Sequence, residues 1–211
     1  MSKLCKLAAL VFGLSAFALA NPITGIVYQG VPDAANAGDS LNMAATLPSA
    51  QFTVGVGGIN FQSPPSSYTT SAFLGNPTFI NQLNGFAPNG TADNNEVVLT
   101  GQIYLDSGVN SFQIGHDDGV VLTIGGGIGN VVNQPGATSF VLTSFNINNP
   151  GAAGLFDFTL DYAECCTAPA DLEFAFNNQP VGQVPEPSSL ALLGGGLLLG
   201  VLAMGAAKLR A

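Results

Sequence analysis

Positive charge is confined to the two ends of this chain. All four Lys and Arg residues (Lys3, Lys6, Lys208, Arg210) lie there, and none occurs between Asn21 and Val184. Of the thirteen Asp and Glu residues only Glu186 lies beyond that interval, so twelve carboxylates, from Asp33 to Glu173, share a stretch without a single Lys or Arg. Such a domain has no Lys/Arg–carboxylate pairs. Its acids must be solvated, hydrogen-bonded or neutralised by a bound cation. It offers phosphates no cationic surface, which excludes nucleic acid as a partner. The fold must come from apolar burial and backbone pairing in a sequence whose polar content is mostly Asn, Gln, Ser and Thr, a composition that suits strands and turns.

The two basic ends each adjoin an oily run. Lys3 and Lys6 precede Leu7 to Leu19, and the run closes on small residues at Ala18 and Ala20. A positive start, a short apolar core and small residues at the exit are the parts of a secretory signal, with cleavage expected after Ala20. At the other end, residues 188–207 carry no charge, and about 20 residues make a helix of roughly 30 Å, the thickness of a bilayer core. Lys208 and Arg210 follow directly. Basic flanks stay cytoplasmic, so both ends place the intervening domain outside the cytoplasm.

Between them the pattern is that of strands. Residues 97–105 (VVLTGQIYL), 110–115, 120–124, 139–147, 155–162 and 172–176 are β-type runs separated by Gly, Asn and Asp turns, with weaker candidates at 23–28 and 51–56. In residues 156–162, Phe156, Phe158, Leu160 and Tyr162 alternate with Asp157, Thr159 and Asp161, which predicts one apolar face and one acidic, wet face. Pro77 to Phe86 is the only stretch that reads as a helix, and residues 60–76 read as loop around Pro64-Pro65. The expectation is an all-β protein, an antiparallel, jelly-roll-like β-sandwich flanked by an N-terminal signal helix and a C-terminal transmembrane helix. Its boundaries are residues 1–20 for the signal, 21–178 for the sandwich, 179–187 for a Pro-rich linker, 188–207 for the span and 208–211 for a basic cytoplasmic tail.

The tail, Val184-Pro185-Glu186-Pro187-Ser188 followed by a Gly/Leu-rich span and a basic end, resembles the PEP-CTERM sorting signal. Pro185 and Pro187 keep this segment extended, so Glu186 is displayed just before the span. The resemblance implies an exported protein of a Gram-negative, often exopolysaccharide-producing bacterium. Its partners would be the export machinery and an exosortase that recognises Pro185, Glu186 and Pro187. It also implies a membrane anchor, held before processing or permanently.

Within the domain, residues 99–108, 110–114 and 116–125, with 156–162 and 170–174 later, are similar to the protective-antigen-like domain, a family that includes bacterial adhesin modules and flocculin lectins. The match centres on Asp117-Asp118-Gly119. In the lectin members a consecutive aspartate pair binds calcium, which holds sugar hydroxyls. The resemblance assigns Asp117 and Asp118 as candidate calcium ligands and implies extracellular polysaccharide as partner; Asn177 or Asn178, in a neighbouring loop, is a candidate amide oxygen that the resemblance does not itself assign. Calcium takes six to eight oxygens, so two carboxylates supply only part of its shell. The plainer reading of the same residues is a turn in which the Asp side chains bond local backbone. With no Trp in the chain, sugar stacking would fall to Tyr or Phe.

Cys165 and Cys166 are the cysteines left once Cys5 departs with the signal. Adjacent cysteines close only a tight ring, and the readings open to them are an exchangeable or intermolecular disulfide, or one buried and one partly exposed thiol. His116 is the sole histidine, and no nucleophile elbow or nucleotide cradle accompanies it; the Gly-rich residues 125–129 read as a turn. The expected function is therefore a non-catalytic binding or adhesion module at the cell surface or in a matrix or biofilm. The alternatives are a structural matrix protein without a specific ligand and a secreted glycan hydrolase.

Overall fold

A computed structural model describes residues 22–31, 46–63, 68–166 and 168–182. The signal with its Ala18 and Ala20 exit, the Pro185-Glu186-Pro187 element, the apolar span and the basic tail lie outside the described residues. Among the described residues no helix is long and apolar enough to cross a membrane.

Among the described residues, twelve strands and one helical turn follow in chain order: β1 (Thr24–Gln29), β2 (Ser49–Thr53), β3 (Asn60–Gln62), α1 (Thr70–Phe73), β4 (Ile80–Leu83), β5 (Asn95–Leu105), β6 (Gly108–Asp117), β7 (Gly119–Ile124), β8 (Gly129–Gln134), β9 (Val141–Asn149), β10 (Gly154–Glu164), β11 (Asp171–Phe176) and β12 (Gln179–Pro180). Seven form one sheet in the order β4-β2-β1-β5-β10-β7-β8. The other five form the second sheet, β12-β11-β6-β9 with β3 beside β11. Every pairing is antiparallel. The expected all-β sandwich is thus the observed one.

The inner faces meet in an aromatic core. Phe112 touches Phe145, Phe174 and Phe176, and Phe174 also meets Phe158 edge-on across the sheets. A second cluster joins Phe52, Phe61, Phe73 and Tyr162. Alternation explains the selection: along β5, Val97, Leu99, Ile103 and Leu105 are buried. The gap at position 101 of that series is a glycine because Ile23 and Phe158 occupy the space a side chain would need. Gly25 is tighter still. A methyl there would lie 2.9 Å from Leu99 Cδ2 and closer to the Phe52 ring. Gly25→Ala is therefore expected to destabilise the domain by about 1–3 kcal/mol through overpacking, read as a lower urea midpoint at unchanged slope.

Several local expectations are corrected. Pro77 to Phe86 is not a helix. It holds β4, which pairs with β2, and Asn76, Asn81, Asn84 and Gly85 all have positive φ, a conformation that stops helix propagation. The helical turn is α1, seven residues earlier in a stretch expected to be loop; Thr69 caps it by accepting the Ala72 N–H (3.2 Å). β3 also falls in that stretch, and β8 is a further strand beyond those expected. Residues 179–182, expected to be linker, belong to the fold. β12 pairs with β11, the Val181 N–H donates to the Phe174 carbonyl, and the Ile59 N–H donates to the Val181 carbonyl. Gly182 then packs against Ile23 and lies near Gly58, so the described chain enters and leaves the sandwich at one flank. The acidic, wet face of β10 holds only at Asp157. Asp161 is buried because β10 is a central strand, where Val98 and Val121 flank it on the same face.

Candidate functional site

β6 ends at Asp117 and β7 begins at Gly119, so the Asp117-Asp118 pair forms the tip of a hairpin-like link between the two sheets. The end of β10, the start of β11 and the β8–β9 loop gather at the same end of the sandwich. The peptide between Asp117 and Asp118 is cis. Asp118 is buried, and both its oxygens are engaged: Oδ1 accepts the Thr138 N–H (3.0 Å) and Oδ2 the Cys165 N–H (2.9 Å). One carboxylate thereby ties the β8–β9 loop and the β10–β11 loop to the turn. Asp117 is half-buried and accepts the Phe140 N–H. Burial and the neighbouring Asp118 charge hold the Asp117 carboxyl above its ordinary range. Asp171 faces Asp117 across the β6–β11 pair, and burial, Glu173 and Asp117 push it up as well.

The side chains beneath this tip were not foreseen. Glu164, at the end of β10, is fully buried between two tyrosines. Tyr68 donates its hydroxyl hydrogen to Glu164 Oε1, and the Tyr162 hydroxyl contacts both Glu164 Oε2 and the Asp117 carbonyl. A hydroxyl has one hydrogen, and a carbonyl only accepts. The count closes when Tyr162 donates to Asp117 and a protonated Glu164 donates to Tyr162. Burial, helped by the Asp118 and Asp117 charges and opposed by the two tyrosine hydrogen bonds, raises Glu164 to about 8, in line with that arrangement. Tyr162 and Tyr68 are likewise raised, by burial first and then by Glu164. No sequence pattern marks Glu164, since one acid at the end of an apolar strand is ordinarily a solvated residue.

His116 is buried beside the pair. Its Nδ1 contacts the Asp118 carbonyl, which requires the hydrogen on Nδ1, and Nε2 meets the Gln134 side chain at 2.7 Å. Its role is to fix the turn against β8. Cys165 and Cys166 form a disulfide with each other, with Cys165 buried and Cys166 exposed at φ 65°. The structure thus selects the intramolecular ring among the readings open to them. Asn177 and Asn178 do not join the site. They follow Phe176, which pairs with Phe112, while Asp171 pairs with Asp117; five residues of strand put them about 17 Å away.

Phe140 supplies an aromatic surface at the tip. Its ring is half-exposed and lies over Gly115, where a Cβ would come within 3.0 Å of it. Among the described residues no group of three or more His, Cys, Asp or Glu converges on a metal position. Oxygen donors without competing basic groups suit a hard cation. Asp117 and Asp118 would supply two carboxylates, with loop carbonyls, water or ligand hydroxyls as the remainder. A groove of about 630 Å³ lies elsewhere, lined by Val54, Gly58, Phe61, Leu74 and Pro77, with no titratable side chain in its lining.

The sandwich is of the PA14 type. It aligns with the PA14 domain of the MpAFP antifreeze protein at a TM-score of 0.53 and 18% identity, over 78% of this chain and 93% of that one. It is also similar to a PA14 sugar-binding domain from an RTX adhesin (TM-score 0.48, 16% identity, 74% and 90% coverage). A third similar structure is the epithelial adhesin 6 A domain from Candida glabrata in complex with Galb1-3GlcNAc (TM-score 0.46, 12% identity, 76% and 81% coverage). Residues 183–210 match the PEP-CTERM protein-sorting motif. No curated protein matches the chain.

Proposed function

We propose that this is an exported surface or matrix protein whose sandwich binds extracellular polysaccharide, without catalysing a reaction, at the Asp117-Asp118 tip. The sorting motif supports the export half of this reading. The observation that carries the binding half is the pairing of two adjacent carboxylates with an exposed aromatic ring, Phe140, whose own N–H donates to Asp117. Such a ring stacks on the apolar face of a pyranose, and carboxylates accept its hydroxyl hydrogens. Bound calcium would add a positive centre at Asp117 and Asp118 that holds hydroxyl oxygens directly. Asp118 positions the tip through its two backbone partners, while the half-buried Asp117 is the carboxylate that reaches ligand. Glu164 is enclosed, so it supports the tip from below without meeting ligand.

The test is retention of the detergent-solubilised full chain on an array of neutral glycans, in millimolar calcium and in chelator. Calcium-dependent retention is expected, abolished by Asp117→Asn and weakened roughly fivefold by Phe140→Ala, since a stacking contact is worth about 1 kcal/mol. Retention indifferent to both calcium and Asp117→Asn would remove the proposal, and release of reducing sugar would replace it with a hydrolase.

A further inference from the structure

The acidity of this domain is unevenly distributed. From Gly119 to Phe156 there is no charged residue at all, and that interval contains β7, β8, β9 and their loops. The topology brings β8 and β9 to the same flank, since each closes one sheet and the Thr143 hydroxyl of β9 donates to Gln134 of β8. Among the described residues β9 has one strand neighbour, β6. It runs nine residues, whereas the other sheet margins are β4 with four, β8 with six, β3 with three and β12 with two. Natural edge strands are guarded by lysines, prolines or inward charges, because free N–H and C=O groups recruit another strand. Val141 to Asn149 has none of these guards; it opens on exposed Val141 and Leu142, and exposed Phe140 precedes it.

We infer that β9 is a self-association edge: two copies of this chain pair their β9 strands antiparallel about a two-fold axis, joining the two five-stranded sheets into one. The occupant follows from charge and chemistry. A second copy is as acidic as the first, and the β8/β9 flank is free of carboxylate repulsion; residues 40–92 are uncharged too, but the sheet margins they contribute, β3 and β4, have three and four residues against the nine of β9. A strand edge is its own complement, and an antiparallel pair of identical strands closes on itself as a dimer rather than a filament. Nine residues span about 30 Å and offer roughly one backbone hydrogen bond each. This inference is independent of the carbohydrate reading.

The experiment is the molar mass of the detergent-solubilised full chain by light scattering over a dilution series. A dimer is expected for the wild type. Ser144→Glu, which sets a carboxylate near its symmetry mate, should weaken the dimer roughly a hundredfold, and the neutral Ser144→Gln should not. Leu83→Glu on the β4 edge should leave the mass unchanged. A monomeric wild type, a dimer that survives Ser144→Glu, or one dissolved by Leu83→Glu overturns the inference. If Ser144→Glu fails to fold, amide exchange of the wild type decides. β9 amides must exchange faster in the dilute sample than in the concentrated one, and equal rates overturn the inference.

Discussion

Asp118→Ala is expected to destabilise the domain by about 2–5 kcal/mol and to abolish any calcium response. Its oxygens accept the N–H groups of Thr138 and Cys165, and alanine leaves both donors without that partner. An unsatisfied buried donor costs about 1–3 kcal/mol. The loss should exceed that of most surface substitutions, because two loops come free of the turn together. Asp118→Asn offers one acceptor oxygen and points an amide N–H at the other donor, so it should fall between alanine and wild type. Urea denaturation in chelator separates this structural role from metal binding. A shift below about 1 kcal/mol for alanine would show that the loops hold their places without the carboxylate.

The second large effect is on pH dependence. Glu164 is held protonated up to about 8, whereas in the unfolded chain it titrates near its ordinary value of 4.5. Between these values the native state keeps a proton that the unfolded state has released, so stability falls as pH rises, by at most about 1.4 kcal/mol per pH unit. The contribution is complete below pH 4.5 and gone above about 8. Raised Asp117 and Asp171 act in the same direction. Melting temperature should therefore decline steadily from pH 5 to 8 in chelator. Glu164→Gln should flatten most of that decline, since a neutral amide can accept from Tyr68 and donate to Tyr162 without a proton to lose. A wild-type profile already flat over that range would show that Glu164 is ionised in the fold.

The sandwich was legible wherever strands were long and alternating. The β5, β6, β7 and β10 segments needed only the period of two and their turn residues. β4 is not legible because INQL and its surroundings carry no strand periodicity, and the four left-handed positions that exclude a helix show only in the backbone. β3 and β12 are too short to carry any pattern, and exist because β11 offers them an edge. At the tip, Asp117 and Asp118 could be found as neighbours in sequence. Tyr68, Thr138 and Glu164 could not, since they converge from segments far apart in the chain. The acids of β10 illustrate the same limit. Alternation tells which face a residue takes, but not whether that face meets water, so Asp157 and Asp161 looked alike.

Ile23 and Gly182 in contact mean that the polypeptide path through this sandwich begins and finishes at nearly one point. A module threaded in that way adds bulk but almost no end-to-end distance along the chain. With the chain cut after Ala20, a pull on the domain enters at Gly182, on the β12 side and about 17 Å of strand from Asp117, so the tip should keep its shape under load.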